Sequence, residues 1–209
     1  MTDSCVIKPP VFYPGSLAVL ISTENADGTT NLAPMSSVWT IGETVMLGLQ
    51  TAGQSYRNLT DRPDFVLNYP SEDLWPQVER LAPLTGADPV PPHKAEQFRT
   101  ERDKFTAAGL TPRPADLVTA MRVAECPLQV ECRARTVRPA GELGLGVVEA
   151  QLLRVHAHPD IVEDDLRHIR VDAWRPLFYV FRHYIQRGPE LGRNFRAANT
   201  VGAGVTGRQ

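Results

Sequence analysis

Apolar residues in this chain come mostly in short runs closed off by turn residues, a spacing that suits strands better than helices. Residues 16–23, apolar over 17–21 and rich in branched side chains, predict a buried strand. Asp27-Gly28 then marks a hairpin turn, and residues 30–33 return antiparallel. Residues 38–41 and 44–50 pair across Gly42-Glu43. A short helix is predicted over 55–61 and a strand over 64–69. Ser71 is placed to cap a helix reaching Ala82, with Glu72 and Asp73 in its first turn. A second helix is expected over about 94–108, with Gly109 at its C′ position. Residues 128–137 and 145–158 are long strands joined through Pro139-Ala140-Gly141. From Trp174 onward, Leu177, Phe178, Phe181, Tyr184 and Ile185 fall on one helical face. Strands joined by hairpins, with helices set between them and no βαβ alternation, predict a mainly β fold. The expected form is a closed or partly closed antiparallel barrel with peripheral helices. The 209 residues, 42% of them hydrophobic, suffice for one core. That core is taken as a single domain over 1–196, followed by a Gly-, Ala- and Thr-rich tail over 197–209 that is expected to fray.

Charge and cysteine usage narrow the setting. A net charge of −2 and the lack of a basic run argue against nucleic acid or an acidic membrane as an obligate partner. Cys5, Cys126 and Cys132 are odd in number and lack C-x-x-C spacing, which points to a reducing cytoplasm and away from a disulfide framework. Residues 1–10 hold no signal-peptide apolar core. No window approaches the roughly 20 apolar residues of a membrane span. The 18 prolines exceed the usual share of about 5%, and several cluster over 83–114, where irregular connections are expected.

Two segments suit a flat, polar-edged ligand with an anionic tail. Pro34, Met35, Ser36 and Ser37 form a stiff turn of small side chains, where backbone N–H groups can meet a ring edge. The same residues also fit an ordinary β-turn. After the apolar run 45–49, Gln50 and Thr51 lead to Ser55, at a predicted helix start where free N–H groups and the helix dipole favour a phosphate. Asn58 lies one turn later, and Arg57 can add charge. A plain helix cap with a solvent-facing Arg57 is the alternative.

In order and spacing these motifs resemble the flavin reductase-like FMN-binding split-barrel family, and more closely its flavoredoxin-like branch. The pattern N-x-A-P-x-S-S corresponds to residues 31–37, the helix start to 55–59, the F-V-x-N strand to 65–68, and the E-x-P-x-x-x-E-C strand to 125–132. The resemblance runs from about Tyr13 to Tyr184. It implies an FMN-type split β-barrel and a homodimer with FMN near the subunit interface. It further implies that Met35, Ser36 and Ser37 line the isoalloxazine, that Gln50 and Thr51 touch its polar edge or the ribityl chain, and that Ser55 and Asn58 bind the phosphate. Activity would then be that of an FMN-dependent oxidoreductase, passing reducing equivalents to free flavin, a partner oxygenase or a small substrate, with NAD(P)H as a candidate donor. Many reductases of the family carry a G-D-H element that places the nicotinamide. Residues 138–144 here hold no histidine, which speaks against pyridine-nucleotide turnover more than against flavin binding. A non-catalytic FMN-binding electron carrier is the second reading, and a barrel adapted to haem or to no cofactor the third.

His156, His158 and Asp160 form a further candidate cluster. Both histidines are expected on one face of a strand, yet no more distant ligand is visible, so no metal is assigned. Glu131 is a candidate buried carboxylate. Tyr179, Arg182 and Tyr184 read as core or as residues reaching a partner's flavin.

Overall fold

The computed structural model describes residues 3–194; the tail predicted over 197–209 lies outside the described residues. In chain order the first half forms β1 (Ser16–Leu17), β2 (Val19–Glu24), β3 (Thr30–Met35), β4 (Val38–Ile41), β5 (Thr44–Gln50), α1 (Gln54–Asp61), β6 (Asp64–Tyr69) and α2 (Trp75–Leu81). There follow β7 (Leu84–Thr85), β8 (Arg99–Thr100), α3 (Lys104–Ala108), β9 (Pro112–Arg113) and β10 (Arg122–Val123). The long strands β11 (Leu128–Ala140) and β12 (Leu145–Ala157) come next, and β13 (Phe178–Val180) and β14 (His183–Ile185) close the chain. No helix among the described residues is long and apolar enough to cross a membrane.

Seven strands make one antiparallel sheet in the order β3-β2-β6-β11-β12-β5-β4. Its two edge strands, β3 and β4, are consecutive in the chain, with only Ser36 and Ser37 between them. Two linking residues span at most about 11 Å, roughly two strand spacings. The edges must therefore lie side by side, and the sheet curls into a barrel whose seam is the Ser36-Ser37 link. The Gly48 N–H donates to the Ser37 carbonyl at 2.9 Å and ties that seam to β5. The mainly β barrel expected from hairpin spacing is the observed architecture.

Strand β2 is covered on both sides. Val19 and Ile21 point into the barrel with Val45, Leu47, Phe65 and Leu67. Ala18 and Leu20 face outward into a second core with Val78, Leu81, Phe105 and Leu177. A strand buried on both faces needs no polar alternation, which is why residues 18–21 are uniformly apolar. Each fully buried side chain of this size contributes roughly 1.5–3 kcal/mol. The second core holds α2 and α3 against the outer face of β2 and β3. Cys126 and Cys132 are buried and free, and Cys5 is exposed and free.

Three predicted helices differ from the structure. The one expected from Ser71 to Ala82 is an α-helix only over Trp75–Leu81, after a 3-10 turn over Glu72–Leu74, and the Ser71 hydroxyl bonds the Asp73 carboxylate in place of a backbone N–H. The helix expected from Trp174 is instead the β13–β14 hairpin, whose tip residues Phe181 and Arg182 have φ of 44° and 70°. Strand β13 pairs with β1, Ser16 opposite Tyr179 and Leu17 opposite Phe178, so long-range pairing overrides a spacing that also fits a helix. The helix expected over 94–108 is only α3. Residues 99–100 are drawn into a parallel pair with β7, and the helix begins after Asp103, whose carboxylate accepts from the Thr106 N–H at 3.2 Å. Gly109 ends it with φ 70°, in the expected left-handed cap.

Candidate functional site

A cavity of about 610 Å³ opens beside the barrel seam. Pro34, Met35, Ser36 and Ser37 from the end of β3 and its link form one wall, with Gln50 of β5 next to them. Ser55, in the first turn of α1, closes one end. The structure thus brings Ser36 and Ser55, 19 residues apart, to the same cavity. Among the described residues no side chain caps α1, whose N-cap is Gly53. The first N–H groups of a helix have no partner within it, so those of α1 are available to an anion at this end.

Two predicted residues stand behind the wall. Thr51 is turned to the β11–β12 connection, its hydroxyl donating to the Gly144 carbonyl at 3.1 Å. Asn58 is fully buried and its amide is fully used. Its nitrogen donates to Thr23 at 3.0 Å and to Asn25 at 2.9 Å, and its oxygen accepts from Gln54 at 2.8 Å and from Arg62 at 3.3 Å. In this arrangement Asn58 positions Gln54 and Asn25. Arg57 is exposed.

The residue that joins the site together is Asn31. Its amide nitrogen donates to the Ser55 hydroxyl at 3.1 Å, and its oxygen accepts from the Lys104 ammonium at 3.0 Å. Lys104 is 1% exposed. Burial pushes its ammonium down to about 8; neighbouring Lys94 acts in the same direction, and Glu101 opposes. Burial also lowers Lys94, whose ammonium lies 5.0 Å from the centre of the Phe98 ring. Gly86 passes so close to this network that a Cβ there would meet the Asn31 side-chain oxygen at 2.5 Å. A side chain at position 86 would fill the cradle.

Sequence reasoning missed Lys104 and Gly86 as site residues. Nothing local marks Lys104, because a lysine beside Asp103 reads as solvated. Among the described residues three cations line the cavity, Lys94, Lys104 and Arg182, and no Asp or Glu does. In a chain of net charge −2 this concentrates positive potential in one concave place. Uncapped helix N–H groups, a seryl hydroxyl, a buried ammonium and a glycine approach make a donor set suited to a phosphomonoester. The small side chains of the seam leave room beside it for a flat ring.

The candidate metal residues separate. His158 bonds the Ala124 carbonyl at 3.0 Å, whereas His156 meets the buried Glu131 carboxylate at 2.5 Å. Asp116, Glu131 and His156 bring their ligand-type atoms within 4.8 Å of one another. Those atoms are already engaged: Glu131 accepts from the backbone N–H groups of Asp116 at 2.9 Å and Leu117 at 2.6 Å, and Asp116 pairs with Arg154 at 2.7 Å. Burial alone would push the Glu131 carboxyl up. The Asp116 N–H, His156 and the Leu117 N–H outweigh it and hold the group below its usual 4.5. Its contribution to stability is therefore complete above that value and is lost as pH falls through the lowered one. This cluster clasps the 116–117 segment to β11 and β12. His156→Ala is expected to leave flavin content unchanged and to cost about 1–2 kcal/mol of stability, read by thermal unfolding. Loss of structure on chelation of a metal would contradict the clasp.

A family model described as flavin reductase like domain matches residues 13–187. The uncharacterized protein YdfE of Bacillus subtilis (strain 168) is 40% identical over 193 residues, covering 91% of this chain and 93% of its own. Flavoredoxin of Desulfovibrio vulgaris (Miyazaki F) superposes with a TM-score of 0.76 at 21% identity, over 95% of this chain and 100% of its own. Nitrilotriacetate monooxygenase component B from Bacillus cereus does so with a TM-score of 0.69 at 18% identity, over 85% of this chain and 87% of its own. At those identities the likeness of the two solved structures is one of fold.

Proposed function

This chain belongs to the flavin reductase-like family, and we propose that it is an FMN-binding oxidoreductase that uses the seam cavity. The observation that carries this reading is the cavity itself: three cations, no carboxylate, and an uncapped helix start at one end. When bound, the flavin supplies the electron-transfer chemistry. The chain's part is placement. Ser55, the α1 N–H groups and Lys104 hold the phosphate; Gln50 meets the polar edge of the ring or the ribityl chain; and Pro34, Met35, Ser36 and Ser37 line the ring. Thr51 and Asn58 support this shell from behind.

A monophosphate fits better than a dinucleotide. Past Asn31, Gln54 and Gly86 lies a smaller cavity of about 250 Å³, lined by Asp27, Asp88 and Glu101 against a single Arg102. An added pyrophosphate in that direction would meet negative charge. This favours FMN over FAD. For electron acceptors the reading keeps free flavin, a small substrate and a partner oxygenase. The fold shared with a monooxygenase component B supports the last. The reading includes a homodimer. Trp39 and Ile41, 58% and 68% exposed on edge strand β4, offer it an apolar face next to the seam.

An absorption spectrum of freshly purified protein tests the cofactor, with extraction of the bound chromophore to identify it. The two visible bands of a flavin and release of FMN are expected; a Soret band or a colourless protein that takes up no added FMN would overturn the reading. NADH and NADPH oxidation by the FMN-loaded protein separates a reductase from a carrier, since a carrier oxidises neither above background.

A further inference from the structure

The half of the cavity nearest solvent is built differently from the phosphate end. Tyr13, Tyr179 and Tyr184 line it, with ring centroids 5.8 Å apart for the first pair and 5.9 Å for the second. These rings come from the N-terminal segment and from the β13–β14 hairpin, which are tied by the Phe181 N–H donating to the Tyr13 carbonyl at 2.8 Å. At the hairpin tip Arg182 faces the same cavity. No carboxylate pairs with it among the described residues, as is the case for Arg57, Arg99 and Arg113, but of these arginines Arg182 alone lines the cavity. The positive φ of Phe181 and Arg182 is what a two-residue hairpin loop asks of its central residues, and it sets Arg182 at the tip of the β13–β14 turn.

We propose that this aromatic half is a second-ligand subsite for a planar aromatic ring bearing a carboxylate. The tyrosine faces receive the ring, in the offset or edge-on contact that aromatic pairs prefer. Arg182 takes the carboxylate through its planar fork, a geometry that a lysine does not reproduce. Among the described residues no Asp or Glu lines this half, and the carboxylate beside it, Glu79, is held by the Tyr184 hydroxyl at 2.9 Å. Neutral aromatic molecules gain the ring contact only, and aliphatic acids only the ion pair, so the ligand class needs both features. This subsite rests on the flavin reading above, because it assigns the part of the cavity that the phosphate and ring-edge contacts leave open.

The test is fluorine NMR titration of 4-fluorobenzoate and 4-fluorobenzamide into the full-length chain, with and without saturating FMN. With FMN present, the benzoate is expected to bind at least tenfold more tightly than the benzamide. Arg182→Gln should weaken the benzoate at least tenfold and leave the benzamide within twofold. Arg182→Lys should recover part of the loss. Equal affinity for the two probes, indifference to Arg182→Gln, or displacement of the benzoate by FMN would overturn the subsite. If FMN itself fails to bind while the benzoate keeps its dependence on Arg182, the flavin reading falls and the aromatic-anion site stands.

Discussion

Lys104→Met is expected to weaken FMN binding at pH 7 by about a hundredfold and at the same time to raise the stability of the flavin-free protein. The two effects share one cause. Burial holds the Lys104 ammonium at about 8, down from 10.5, a penalty on the charged form of about 3 kcal/mol. Below pH 8 the folded protein bears that penalty in full; between about 8 and 10.5 it is relieved as the folded state loses the proton before the unfolded chain does. Methionine removes the buried charge. It also leaves the Asn31 oxygen without its donor, which takes back about 1 kcal/mol, so a net gain of about 1–2 kcal/mol is expected. The phosphate of FMN is close to dianionic above its second pKa of about 6, and a desolvated ammonium–phosphate contact contributes about 3 kcal/mol. Wild-type affinity should therefore fall as pH rises through 8, by up to about tenfold per unit, while the variant shows a flat profile. Titration by flavin fluorescence quenching at pH 7, 8 and 9, beside thermal unfolding of the flavin-free forms, checks both halves. A flat wild-type profile, or equal affinities for the two proteins, would remove Lys104 from the phosphate.

How much of this could be read from the residues alone depends on the range of the interaction. The β2–β3 and β4–β5 hairpins were legible, because Asp27-Gly28 and Gly42-Glu43 are local turn chemistry. The Ser36-Ser37 turn was legible too, but not its place at a barrel seam, which follows only from β3 and β4 lying at opposite ends of the strand order. For residues 177–185, periodicity was ambiguous: a run of five aromatic or apolar positions fits a helical face, and partner strand β1, some 160 residues away in sequence, decides otherwise. Asn58 shows a different limit. Its spacing from Ser55 correctly put both on one face of α1. Spacing does not say where along that face the cavity stops, and Asn58 falls one turn beyond it. Lys104 was least visible. A lysine beside Asp103 reads as solvated until the packing of α3 against β3 places it under Asn31.

Ser55→Asp is expected to lower FMN affinity by at least a hundredfold without unfolding the protein. Position 55 is the second residue of α1, where the N-terminal dipole favours a negative side chain by about 0.3–1 kcal/mol. The existing bonds suit a carboxylate as well: Asn31 already donates to the Ser55 hydroxyl at 3.1 Å, and Lys104 sits on the far side of the same amide. An aspartate would therefore draw on the donors that the phosphate needs. It would also repel that phosphate. Two like charges about 4 Å apart near a protein surface cost about 4 kcal/mol, and the phosphate carries close to two. The flavin-free variant should accordingly melt at or above the wild-type temperature while FMN is lost on gel filtration. Ser55→Ala, which removes a hydroxyl but adds no charge, should lose no more than about tenfold. The contrast between the two substitutions locates the anion. If Ser55→Asp kept its flavin, or if alanine and aspartate weakened binding equally, the phosphate would not lie at the start of α1.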